Sequence, residues 1–273
     1  MERAWSSFAR GFFSFYFEAR PWQSCAWLEQ GCRGLFEVGM ERSVPGTQVV
    51  WAQALEALGE RASAEALLRE SLTLTQRLRL LPSTLHARLQ LALLLAGSAE
   101  RSQREEALAL ANDQEVEGPG LYSGLAHTLK AKVATNGGDL AEAEARAREA
   151  CELLAPFPFH QCPAWTLLRQ ILLAQGRAAE AREVATLGVH RLEQCGGEGA
   201  EAVGVRLALA EACLAQGDSQ AGEAALLHAL QGLRARAGDI PDAAARERFL
   251  HQVPENARTL ELARQRWGTA EMP

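Results

Sequence analysis

Five glycines, Gly59, Gly97, Gly138, Gly176 and Gly217, follow one another at intervals of 38, 41, 38 and 41 residues. So regular a spacing constrains the fold strongly, because a unit of this length cannot bury its apolar face alone and must stack on its neighbours. Each glycine lies between two stretches whose apolar residues recur with a helical period. A glycine just past a helix supplies the left-handed backbone that a chain reversal needs. The unit is therefore expected to be a helical hairpin. In four units a small residue follows five positions after the glycine (Ala64, Ala143, Ala181 and Gly222), where a bulky side chain would hold the two helices apart. In the second unit the corresponding Ala107 comes late, after the polar insertion SAERSQ. No run of alternating β-branched residues with hairpin turn chemistry is present. The expected fold is all-α: a superhelix of about five hairpins, closed by capping helices at both ends.

The stretch GGDLAEAEARAREA, with Gly138, Asp139, Ala143 and Ala150, resembles the tetratricopeptide repeat at its turn and small-residue positions. In the fourth unit Trp165 occupies the motif's aromatic slot, and Gly188 stands where a later Ala is usual. In the fifth, Ala210, Gly217, Asp218 and Ala229 match, and Gly222 replaces the first Ala of the second helix. The resemblance covers roughly residues 49 to 237, with units longer than the usual length of about 34. It implies a right-handed α-α superhelix whose concave face, lined by the first helix of each pair, binds partners.

Both ends depart from this rhythm, as a solenoid's ends must, since a terminal repeat has no neighbour to cover it. Residues 238–273 are read as a capping segment in which Pro254 divides two short amphipathic pieces. Phe249, Leu250, Leu260, Leu262 and Trp267 are the expected plug. The string RERFLHQVPENARTLELARQRWG is also similar to the end of the tetratricopeptide regions that close large bacterial signalling proteins, including serine/threonine kinases. That similarity implies a sensor or adaptor region. Residues 1–48 are read as capping helices rich in aromatics, five of the nine Phe falling between residues 8 and 17. Either those rings bury on the first repeat, or they form a docking or homodimerisation patch. Membrane-surface insertion is disfavoured, because the arginines there are matched by glutamates.

Composition excludes several classes. The net charge of −6 argues against a nucleic-acid partner. Six scattered cysteines show no paired metal spacing and are read as reduced and mostly buried. No apolar run has the length of roughly 18 to 20 residues needed to span a bilayer. GFFSFYF at the N-terminus is too short for a signal peptide, so a soluble cytoplasmic protein is expected.

Catalytic signatures are also missing. Lys130 and Lys132 follow no strand or nucleotide loop, and NGGD at Asn136 to Asp139 is explained as a turn between helices. His160 and Cys162, in FHQCP, are two potential ligands where structural zinc ordinarily takes four, and are read as part of an irregular connection between repeats. No cofactor, metal or enzymatic activity is expected. Counting back from each turn glycine to the inward positions of the first helices picks out Gln53, Glu56, Thr128, Lys132, Asn136, Thr166, Gln170 and Glu211 as a partner-binding groove. Lys132 and Asn136 could hold a carboxylate or a backbone carbonyl. The expected function is a non-enzymatic scaffold that binds a protein or peptide in bacterial signalling. The alternative is a regulatory domain that senses a small ligand and controls a kinase or ATPase.

Overall fold

The computed structural model describes residues 1–111 and 120–268, and among them it contains fourteen α-helices and no strand. Helices α1 (Glu2–Tyr16) and α2 (Pro21–Glu37) form a first hairpin, followed by a short 3-10 turn at Glu41–Ser43. Five hairpins come next: α3 (Val44–Ala57) with α4 (Arg61–Arg77), α5 (Leu81–Ala96) with α6 (Arg101–Ala111), α7 (Leu121–Gly137) with α8 (Leu140–Leu153), α9 (Pro158–Ala174) with α10 (Ala178–Gln194), and α11 (Ala202–Ala215) with α12 (Ser219–Gly238). Helices α13 (Ala243–His251) and α14 (Pro254–Trp267) close the array. The architecture is the stack of helical hairpins that the glycine spacing implies, in the superhelical arrangement that the tetratricopeptide resemblance implies.

All five repeat glycines fall at the turns within the hairpins. Gly138 and Gly217 show how the turn is built. With φ of 82° and 84° they end α7 and α11 in the left-handed region, and the Asp that follows caps the next helix. Asp139 accepts from the Glu142 N–H at 3.1 Å and Asp218 from the Ala221 N–H at 3.1 Å, satisfying donors that have no partner inside the helix. Gly97 departs from the expectation. Its φ is −84°, because the insertion SAERSQ spreads the reversal over several residues, and Arg104 ties that stretch down by donating to the carbonyls of Ser98 and Ala99. Glycine is still suited to position 97, since a Cβ there would lie 3.0 Å from Lys132 Nζ.

FHQCP is a second departure: it lies inside α9 rather than in an irregular connection. Pro158 at the helix start has its φ pre-set for helix and gives up only an N–H that lacks a partner there. Pro163 costs one N–H early in the helix and is tolerated.

The small residues after the turns are buried as their spacing requires: Ala64, Ala107, Ala143 and Ala181 are each 0% exposed. Large aliphatic side chains fill the seams between hairpins, among them Leu89, Leu91, Leu94 and Leu95 of α5, Leu129 of α7, and Ile171 and Leu172 of α9. Each contributes about 1.5–3 kcal/mol through burial. First helices pack on the first helices of neighbouring units: α3 on α5, α5 on α7, α7 on α9, and α9 on α11. They form the inner wall of the curve.

Candidate functional site

The inner wall carries the candidate site, and its polar side chains divide into those held by the chain and those left open. Five of the eight positions picked out by register have partners within the protein. Gln53 accepts from the Tyr16 hydroxyl at 2.6 Å. Thr128 is buried and donates to the Gly124 carbonyl one turn earlier. Lys132 donates to the Leu93 carbonyl at 3.3 Å and Asn136 to the Ala96 carbonyl at 2.9 Å, while Arg61 reaches the Leu94 carbonyl from the other side. The three donors from α4 and α7 gather at the C-terminal end of α5, where unpaired carbonyls carry the negative end of the helix dipole. Glu211 accepts from Arg169 and from Arg258, each at 2.8 Å, and so joins α9, α11 and α14. Of the remaining three, Thr166 is half-buried beside Trp165 and Val205, whereas Glu56 and Gln170 are exposed.

Glu56 lies on the last turn of α3. It retains solvent contact, yet the surrounding protein raises its carboxyl above the usual range; Lys132 and Arg61 oppose the rise and Glu255 adds to it. Glu201, at the start of α11, is pushed up to about 7, first by desolvation, then by Glu255 and Glu56, with Arg236 opposing. Glu255 comes from α14 and lays its side chain along Gly204, where a Cβ would stand 3.3 Å from Glu255 Cγ. Glu255 of α14 thus reaches the first helix of the last repeat.

Beside them runs a row of rings. The His86 ring lies 5.8 Å from Tyr122 and 6.5 Å from His160, and Tyr16 lies 4.8 Å from Phe159. Burial lowers both imidazoles to about 4, His160 also disfavouring charge on His86; at neutral pH both are uncharged. Tyr122 and His160 each stand sixteen residues before their turn glycine. Counting from the glycines stopped short of that position, because these first helices extend further than those of a standard unit. A small crevice of about 20 Å³, partly open to solvent, adjoins the row and is lined by Tyr16, Phe159, Cys162, Leu192, Cys195 and Glu201.

The terminal caps complete the enclosure. Phe249 of α13 is buried together with Leu58, Val203 and Ile240, and Trp22 and Cys25 of α2 pack against the same cluster. Arg248 pairs with Glu60, and Arg20 lies 3.5 Å from Asp239. On the other side the Tyr16 carbonyl rests on Gly199, in a loop fastened by two buried arginines: Arg206 donates to the Gly197 carbonyl and Arg236 to that of Gly199. The N-terminal aromatics are divided by this arrangement. Phe15 and Tyr16 are buried, whereas Trp5, Phe13 and Phe17 are 40%, 52% and 38% exposed.

Fold and wall together define a tetratricopeptide-like helical-repeat protein whose superhelix is closed by its own ends. Among solved structures the chain is similar to a Rap protein complexed with competence and sporulation factor, with a TM-score of 0.61 and 14% identity over 95% of this chain and 75% of the other. At that identity the likeness is one of fold. No protein-family model and no curated protein matches the chain. Among the described residues no helix is long and apolar enough to cross a membrane.

Proposed function

We propose that this protein is a non-enzymatic scaffold that binds an extended peptide, or a peptide-like segment of a protein partner, on its inner wall as part of bacterial signalling. The observation that carries the reading is the exposed pair Glu56 and Gln170 on a wall whose other polar positions mostly hydrogen-bond within the chain. The structural likeness to a Rap protein that was solved with a bound factor is consistent with this use of the fold, as is the resemblance of the C-terminal string to regions of signalling kinases.

Selection from a random peptide display library against the immobilised protein tests the reading. Peptides that bind the wild type and lose at least tenfold in affinity on Glu56→Arg, with circular dichroism unchanged, would support it. Selected peptides indifferent to Glu56→Arg and Gln170→Ala would contradict it. The row of rings that includes His86, Tyr122, His160 and Phe159 favours a second reading, the sensing of a small apolar ligand. A thermal shift produced by a small-molecule panel, abolished by Phe159→Ala, would favour that use over peptide binding.

A further inference from the structure

Helix α1 turns small side chains inward and large ones outward. Ala4, Ser7, Gly11 and Ser14 make up most of its buried face, which packs on α2 so closely that a Cβ on Gly11 would stand 2.5 Å from Leu28 Cγ. The opposite stripe, Glu2, Ser6, Ala9, Phe13 and Phe17, recurs at intervals of 4, 3, 4 and 4 and is exposed along its whole length. Phe13 and Phe17 stack with their centroids 5.1 Å apart, and Trp5, 40% exposed, borders the stripe. A helix that is apolar on both sides belongs in an interior. Within the chain the Phe159 ring covers one end of the stripe, 4.9 Å from that of Phe17, and the rest faces solvent. Charge points to the partner that covers it. Residues 1–48 hold five Arg and five Glu, so the whole net charge of −6 lies on the rest of the chain. Two copies of the chain repel each other through their repeats and not through this hairpin.

We propose that the exposed face of α1 is an interface with a second copy of this chain, the two α1 helices lying antiparallel about a two-fold axis. With the axis at the level of Gly11, Phe13 lies over Ala9 of the second copy and Phe17 over its Ser6, large side chains on small ones, and the symmetry makes every contact twice. Arg3 comes opposite Glu18 of the second copy. A parallel pairing would instead set Phe13 on Phe13, Arg3 on Arg3 and Glu18 on Glu18, crowding the rings and opposing like charges. Arg10, which approaches its own copy near the axis, is drawn aside over the Trp27 ring of α2 at 4.8 Å. A contact of one helix on another is small, so the dimer is weak and reversible. It uses none of the positions on which the peptide reading rests, and it stands or falls independently of that reading.

Sedimentation velocity of the full chain from about 1 to 200 μM, a range that brackets weak association, tests the interface. The wild type is expected to pass from monomer to dimer across it. Phe13→Glu alters an exposed residue, should fold normally by circular dichroism, and is expected to stay monomeric. Arg3→Glu is expected to weaken the dimer about tenfold. Adding Glu18→Arg to the same chain is expected to restore it, since each pair is then remade with its signs exchanged. A wild type that stays monomeric throughout would overturn the proposal and leave this face to a different protein or to a lipid surface. So would a dimer untouched by Phe13→Glu, one that Arg3→Glu leaves as strong as before, or one that the double exchange does not restore.

Discussion

Arg248, on the first capping helix, donates to Glu60, at the turn between α3 and α4, across 188 residues of chain. This contact makes the superhelix a closed body rather than an open arch, because α13 then touches the last repeat and the first. Both side chains are about one-third exposed, so the ion pair itself is worth only about 0.2–1 kcal/mol. Arg248→Ala is expected to lower stability in urea by about that amount. Its larger effect should be on shape, seen as an increased hydrodynamic radius while the helix content stays constant.

Gly199 allows the opposite seam to close. Its φ of 132° disfavours any L side chain, and a Cβ would meet the Tyr16 carbonyl at 2.6 Å. Gly199→Ala is expected to cost about 1–3 kcal/mol. The matched control is Gly138→Ala, where φ is 82° but nothing lies within 4 Å, and about 1 kcal/mol is expected. Equal losses in chemical denaturation would show that Tyr16 does not rest on this loop.

Glu211 answers two arginines, of which Arg169 has a side chain only 4% exposed. Desolvation lowers the Arg169 pKa, and the Glu211 carboxylate opposes that. Glu211→Ala leaves a buried cation without its partner and is expected to cost about 3–5 kcal/mol. Arg258→Ala, which removes a half-exposed partner, should cost under about 1 kcal/mol. Thermal unfolding of the two variants in parallel measures the difference.

The buried imidazoles give stability a definite dependence on acid. His86 and His160 have folded pKa values near 4 against an ordinary 6.5. The unfolded chain therefore binds protons that the folded chain excludes, and stability falls as the pH drops from about 6.5 toward 4. Glu201 contributes the opposite slope over an overlapping range, so the comparison is best made between variant and wild type. The stability of His86→Leu relative to wild type is expected to improve steadily from pH 7 to pH 4.5. A difference that does not vary with pH would mean that burial leaves the His86 pKa at its ordinary value.

Much of the fold was legible because it rests on local chemistry. Gly138 with Asp139, and Gly217 with Asp218, state the end of one helix and the cap of the next within two residues, and Ala143 and Ala181 mark where the helices touch. Phe249 and Leu262 were readable as a plug by their helical spacing. Closure was not readable, because Glu60 and Arg248 or Gly199 and Tyr16 meet only after every small rotation between repeats has been summed. The inner wall was partly legible for the same reason. Register located Glu56 and Gln170, and it also located Lys132 and Asn136, but it could not show that their donors would be taken up by the carbonyls at the end of α5. Glu201 stands sixteen residues before Gly217, at the position of Tyr122 and His160 that the count stopped short of, whereas Glu255 lies beyond the repeats.

Hydrogen-exchange footprinting of the protein with a display-selected peptide is the most direct test of the inner wall as the binding surface. The account predicts protection concentrated in α3, α9 and the start of α11, with the outer helices α4, α8 and α10 unchanged. Protection confined to those outer helices, or to the exposed aromatics of α1, would contradict it.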